Sequence, residues 1–213
     1  PIVFAIDRAG MVGADGPTHA GVFDVAFLRC LPNVVLMTPS NQEDCRNMLT
    51  TAFNLNGPSV VRYPRGAGVG PEASQTLETI PVGKGLIVRK AKNAQAQGKK
   101  IAFVCFGPLL YNALEAAEEL DATVADMRFV KPLDEDLLHK VFSEFHQIIT
   151  IEDGVITGGF GSSILEFSAK NNYTSNIKVL GIPDEFIEQG TVDELQQFCK
   201  IDVQGLLKIL SSY

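Results

Sequence analysis

The sequence predicts an α/β protein with two doubly wound domains and mostly parallel sheets. Three observations predict it. Over residues 1–66, short apolar runs alternate with segments of helical spacing in the order β-α-β-α-β, the pattern of a parallel sheet covered by helices. Residues 67–100 then turn to Gly, Pro and polar groups. From Ile101 the β-α alternation resumes and continues to the end. The boundaries that follow are 1–80 for the first domain, 81–100 for a linker and 101–213 for the second domain.

Pro1–Ile6 reads as a buried strand. Gly21–Leu31 has apolar groups at helical spacing. Val34–Met37 is a second strand, closed by Thr38-Pro39-Ser40. Ser40 with Glu43 three places on reads as a capping box that opens a helix from Asn41 to Phe53. Gly57-Pro58 breaks the pattern, and Ser59–Tyr63 is a third strand. In the linker, Gly85–Val88 is a short extended piece and Asn93–Gly98 a loose polar turn. The second domain reads as strands Ile101–Phe106, Thr123–Asp126, Gln147–Ile151 and Ile177–Gly181. Its helices are Leu109–Leu120, Asp134–Phe145, Gly161–Asn171, Val192–Cys199 and Val203–Ser211.

The 213 residues accommodate one large domain or two small ones, and 46% hydrophobic with 20% charged residues is a globular mix. The net charge of −7 argues against a nucleic-acid surface. No apolar run is long enough to span a bilayer. Cys30, Cys45, Cys105 and Cys199 form no C-x-x-C pair and read as free, mostly buried thiols in a reducing compartment. The chain opens on a strand without an initiator Met and reads as a piece of a longer polypeptide.

Charge is uneven along the chain. Residues 1–66 hold five Arg, five acids and no Lys, so the rest of the chain carries the whole −7. Arg grips planar oxyanions with two prongs. Arg29 and Arg46 read as solvated surface. Arg8 and Arg65 each follow a strand at the sheet edge that faces the ligand crevice. Together they suit a phosphate or carboxylate. A structural ion pair is the other reading of Arg65.

The loop Asp7–Gly21 is the densest in chemistry. Gly16 and Pro17 stiffen it. His19 exchanges protons near neutral pH, and Asp15 accepts a hydroxyl hydrogen or orients His19. A rigid turn with a capping Asp is the bland alternative. His139 and His146 read as surface residues. With one site histidine and no paired ligands, no metal site is expected within the chain. Gly154–Ser163 lacks the spacing of a phosphate loop and reads as a tight turn that brings a helix onto the sheet. Glu152 and Asp153 before it read as capping, pairing or catalytic acids.

Several of these segments resemble the 1-deoxy-D-xylulose-5-phosphate synthase family of transketolase-like thiamine-diphosphate enzymes. They are Ala5-Ile6-Asp7-Arg8-Ala9-Gly10, Gly13–Gly21, Met37-Thr38-Pro39-Ser40 and Val61–Gly66. Asp126–Asp134, Glu152-Asp153-Gly154, Gly158–Ser162 and Gly181–Ile187 share the likeness, which spans essentially the whole chain. Asp-Gly-Pro-Thr-His marks the superfamily, and Asp-Met-Arg-Phe-Val-Lys-Pro-Leu-Asp the particular enzyme.

The resemblance implies a transferase condensing pyruvate with D-glyceraldehyde 3-phosphate to 1-deoxy-D-xylulose 5-phosphate and CO2. That is the entry to methylerythritol phosphate isoprenoid biosynthesis, and it also feeds thiamine biosynthesis. The first domain would be the later, incomplete part of a pyrimidine-binding domain, and the second a transketolase C-terminal-like domain serving packing and dimer contact. Arg8, Asp15, His19 and Arg65 would bind substrate. Arg8 and Arg65 would hold the phosphate, Asp15 a hydroxyl, and His19 would also act in catalysis. The cofactors implied are thiamine diphosphate and Mg2+. The family's Gly-Asp-Gly metal motif, its catalytic glutamate and its stacking aromatic are absent. The resemblance places them upstream of Pro1, so the N-terminal part of the enzyme is the expected partner, a homodimer the expected assembly, and this piece alone is expected to be inactive. A bacterial cytoplasm or plastid stroma is the implied location. A transketolase, a 2-oxo acid dehydrogenase β subunit and a non-catalytic regulatory module stay open as rivals.

Overall fold

The computed structural model describes residues 1–70, 72–92 and 100–209. In chain order the first elements are β1 (Ile2–Ile6), a single 3-10 turn (Gly13–Asp15), α1 (Asp24–Leu28), β2 (Val35–Met37), α2 (Gln42–Asn54) and β3 (Pro58–Arg62). Next come β4 (Leu86–Arg89), β5 (Ile101–Cys105), α3 (Leu109–Leu120), β6 (Thr123–Asp126) and β7 (Phe129–Lys131). The chain continues through α4 (Glu135–Glu144), β8 (Gln147–Val155), α5 (Phe160–Lys170), β9 (Asn176–Ile182), α6 (Val192–Cys199) and α7 (Val203–Ile209).

Two sheets result. The first has the order β1-β3-β2-β7 and the second β4-β6-β5-β8-β9. Within them, only β7 against β2 and β4 against β6 pair antiparallel. Both sheets are mostly parallel and carry helices, as the alternation predicts. The central strand β5 is buried at all five positions, as a strand covered on both faces must be.

The sheets share a core. Val25, Leu36 and Val60 from the first half pack in one cluster with Val104, Phe106, Met127, Ile148 and Phe160 from the second. Phe106 and Phe160 meet edge to face at 5.0 Å. Burying each such ring contributes about 1.5–3 kcal/mol, so docking of the two halves is part of folding.

Strand β7 was not anticipated. It is too short to show periodicity, and its partner lies in the other half. It leaves the second sheet after β6 and pairs with β2. Arg128, in the left-handed region at φ 57°, makes the turn. Its carbonyl accepts from Thr38 N at 2.9 Å, and its guanidinium reaches Asp44 at 3.0 Å.

Other expectations are corrected. β1 is an edge strand, with Ile2 53% and Phe4 47% exposed, because it pairs with β3 alone among the described residues. α1 begins only at Asp24. Gly21 N bonds Arg8 O and Gly10 O, and Val22 O accepts from Val155 N, so both residues are held outside the helix. The cap of α2 is Asn41, whose side chain accepts from Asp44 N at 2.9 Å. Ser40 instead donates to the Asp44 carboxylate at 2.6 Å, and Glu43 accepts from Ser74 N. β8 runs through Glu152–Gly154 to Val155, with a register shift after Ile151. Within the segment read as linker, Leu86–Arg89 is an edge strand of the second sheet.

Arg29 bonds Gly158 O and Glu166, and Arg46 bonds the carbonyls of Gln75 and Thr76. Neither guanidinium is simply solvated. Of the four free thiols, Cys105 is buried, Cys45 and Cys199 are half-buried and Cys30 is exposed. The expected turn at Asn93–Gly98 and the last two residues of the expected final helix lie outside the described residues.

Asn41→Ala removes the α2 cap. Chemical denaturation is expected to show a loss of about 1 kcal/mol.

Candidate functional site

The site starts from strand register. β1 and β3 are parallel neighbours with Ile6 opposite Arg62. Their C-terminal ends therefore release two loops side by side, Asp7–Gly21 and Tyr63–Gly70. The loops stay joined beyond the strands: Tyr63 N donates to Ile6 O at 2.9 Å and Ala9 N to Tyr63 O at 3.0 Å.

The first loop is pinched at its neck and stiff at its tip. At the neck, Gly10 N donates to Gly21 O and Gly21 N to Gly10 O, each at 3.0 Å. At the tip, the 3-10 turn ends in Gly16, at φ 68°. Gly16 N donates to Gly13 O at 3.1 Å and His19 N to Gly16 O at 3.2 Å. The second half covers this turn, since a Cβ at Gly16 would stand 3.5 Å from the Gln189 side chain.

Asp15 leaves that turn and forms an ion pair with Arg65 of the neighbouring loop. The structure thus joins two of the four predicted residues. Arg8 sits in the left-handed region at φ 58°. Non-Gly residues rarely occupy that region, and those that do cluster at ligand clamps. Its guanidinium bonds Asp7 at 2.7 Å. His19 is exposed, with its Nδ1 3.0 Å from Thr18 Oγ1.

Arg65 borders two hollows. One is a cavity of about 350 Å³ whose lining includes Asn41, Cys45, Tyr63, Leu109, Asp153 and Gln196. The other is a more open groove bordered by Gly13, Ala14, Thr191 and Glu194. Arg8 and His19 line neither of them. They stand on the loop that carries Asp15. His139 and His146 are exposed, and His139 bonds Tyr173 Oη at 2.7 Å.

The residue that sequence reasoning missed is Arg62. Its side chain is only 1% exposed. Nε donates to both Asp24 oxygens at 2.9 and 2.8 Å, Nη1 to Asp153 at 2.6 Å, and Nη2 to Gly21 O at 2.9 Å. Burial works against the charged guanidinium, but the carboxylates of Asp153 and Asp24 more than offset it, and Arg62 stays ionised. The signal was present: an Arg inside the apolar run Ser59-Val60-Val61-Arg62-Tyr63 must be paired if the strand is buried.

Two acids are pushed the other way. Glu152 is fully buried and accepts from Phe160 N and Gly161 N, both at 2.8 Å, at the start of α5. Burial raises its carboxyl to about 7 against those bonds. Asp126 is likewise raised to about 7 by burial, against a bond from Arg128 N. Glu152 is therefore a helix cap and Asp153 an ion-pair partner, two of the roles left open for them.

Among the described residues, no group of three or more His, Cys, Asp or Glu could hold a metal ion. No helix among the described residues is long and apolar enough to cross a membrane.

Comparisons with known proteins agree with this architecture. Residues 1–69 match the family described as transketolase, pyrimidine binding domain, and residues 90–206 the family described as transketolase, C-terminal domain. The chain is 48% identical over all 213 residues to a protein of Aliivibrio fischeri named 1-deoxy-D-xylulose-5-phosphate synthase, and covers 34% of it. It is 49% identical over 208 residues to the Nitrosomonas europaea protein of the same name, spanning 98% of this chain and 33% of that one. The chain thus spans about a third of the length of these curated relatives.

Among solved structures, one titled as a split gene transketolase, inactive β4 tetramer, superposes with a TM-score of 0.82 at 25% identity. That match covers 99% of this chain and 66% of the other. The transketolase of Campylobacter jejuni superposes with a TM-score of 0.72 at 19% identity, over 99% of this chain and 31% of that one.

The raised carboxyls have a consequence for stability. Between about pH 4 and 7, folded Glu152 and Asp126 keep protons that the unfolded chain has released. Stability therefore falls as pH rises through that window, by on the order of 3 kcal/mol per carboxyl. Urea unfolding from pH 4.5 to 7.5 is expected to show the decline, and Glu152→Gln, which cannot titrate, to make it shallower.

Proposed function

Because the chain belongs to the transketolase family, we propose that it forms the acceptor-side wall of a thiamine-diphosphate enzyme condensing pyruvate with D-glyceraldehyde 3-phosphate. The products are 1-deoxy-D-xylulose 5-phosphate and CO2. The observation that carries the reading is 48% identity, along the entire chain, to proteins named for that synthase activity.

The family resemblance gives roles to the chain's own residues, and the Asp15–Arg65 ion pair supports them. Arg65 and Arg8 bind the phosphate of the aldehyde from two adjoining strand ends. A phosphate competes with Asp15 for Arg65, and Asp15, once displaced, accepts a hydroxyl hydrogen of the acceptor. His19 holds a substrate oxygen and moves a proton through its imidazole. The ion pair between Asp15 and Arg65 thus keeps the phosphate site from standing open as bare charge.

The described residues gather no group of three or more His, Cys, Asp or Glu that could hold the cofactor's metal. On this reading thiamine diphosphate and Mg2+ are held mainly by the part of the enzyme that the chain does not span. The open edge of β1 and its exposed Ile2 and Phe4 support a polypeptide neighbour there. A split transketolase described as an inactive tetramer of one subunit type supports the further reading that this chain is inactive without its complement. A homodimeric assembly and a bacterial cytoplasmic or plastid location are what the family resemblance implies for the assembled enzyme.

The test joins this chain to the portion of the Aliivibrio fischeri relative that it does not span. The assembly is expected to release CO2 from pyruvate when glyceraldehyde 3-phosphate is present. No product from that pair would refute the assignment, and turnover with sugar-phosphate donors instead would indicate a transketolase. Arg65→Ala is expected to raise the KM for glyceraldehyde 3-phosphate by about 10- to 100-fold. The KM for pyruvate, and for unphosphorylated glyceraldehyde as acceptor, should stay near wild type in steady-state kinetics.

A further inference from the structure

We propose that Arg62 and Asp153 are positioning residues that set the shape of the substrate loop, which makes the second half of the chain part of the acceptor site. The inference rests on the acceptor-site reading above and adds two residues that act through the loop. Arg62 acts on both sides of the loop neck. Its Nη2 donates to Gly21 O, which also accepts from Gly10 N at 3.0 Å. Its Nε holds Asp24, the first residue of α1 just beyond the loop. Asp153 comes from β8 of the other sheet. It fixes Nη1 of Arg62 and presses on the neck itself.

A Cβ at Gly10 would stand 2.6 Å from Asp153 Oδ2. The position therefore admits only Gly, and the neck seats directly on the carboxylate. One backbone bond completes the seat, from Val155 N to Val22 O at 2.8 Å. Arg8 lies two residues before Gly10, and its carbonyl accepts from Gly21 N at 3.0 Å. Any shift of the neck thus moves the Arg8 backbone together with the loop bearing Asp15 and His19. Arg65 lies in the loop that leaves β3, three residues after Arg62, so the same guanidinium references both phosphate-binding arginines.

The experiment compares Asp153→Ala, Asp153→Asn and Arg62→Lys in the assembled enzyme described above. Asp153→Ala removes the seat and is expected to raise the KM for glyceraldehyde 3-phosphate about tenfold. The KM for pyruvate should hold, and kcat should fall by less than about threefold. Asp153→Asn keeps an acceptor for Nη1 and is expected to recover most of the change. Arg62→Lys keeps charge without the planar fork and should resemble Asp153→Ala. Equal losses for both substrates, or an unchanged acceptor KM in Asp153→Ala and Arg62→Lys, would overturn the proposal.

Hydrogen exchange on the chain itself is the second measurement. Amides of residues 10–21 are expected to exchange faster in Arg62→Lys, with α4 unchanged, and to stay near wild type in Asp153→Asn. Unaltered exchange in the loop of Arg62→Lys would overturn the proposal even if Asp153→Ala does not fold. If the unsubstituted assembly makes no product but the exchange result holds, the enzyme assignment fails and the positioning role stands.

Discussion

A single buried guanidinium organises this molecule. Arg62 sits at the end of a parallel strand, shut off from water, between a carboxylate from its own half and one from the other. Removing one partner of such a buried pair costs about 3–5 kcal/mol, a large fraction of a typical domain's net stability. The geometry could not be met by a loose contact. Asp24 lies at the start of α1, Asp153 in the irregular end of β8, and Gly21 in the neck between them. The charge is satisfied only when three separate pieces of chain arrive together.

That requirement explains why the two sheets behave as one body. Hydrophobic contact alone would bring them together with little regard for angle, because apolar burial is non-directional. Hydrogen bonds from a planar fork are directional. The shared apolar cluster supplies the cohesion, and Arg62 with Arg128 and Asp44 supplies the registration. The loops Asp7–Gly21 and Tyr63–Gly70 leave the sheet beside that registration, at the end of the strand that carries Arg62.

Much of this was legible in the sequence. Leu109–Leu120, Thr123–Asp126 and Val192–Cys199 coincide with the observed elements, because each has strong local periodicity and a clear stop. The motif loop was also legible as a stiff turn at a strand end. What escaped depends on distant partners. β7 has three residues and no pattern of its own, and its identity comes from β2 ninety-odd residues earlier. α1 is shorter than its apolar spacing implies because Gly21 and Val22 are claimed by backbone partners across the neck. Ser40 and Asn41 are both good caps, and the choice between them follows from where Arg128 draws Asp44. Arg62 escaped because its carboxylate partners, Asp24 and Asp153, lie 38 and 91 residues away in sequence.

Strand β7 has a last consequence, for modularity. It belongs to the first sheet but is encoded after β6, well inside the region that follows Ile101. A gene cut anywhere between the two halves therefore leaves the upstream product missing its antiparallel edge and the downstream product carrying an orphan ribbon. Recombination that swaps one half between distant relatives must keep Phe129–Lys131 compatible with Val35–Met37. The halves can diverge in surface, but they are inherited as a stitched pair.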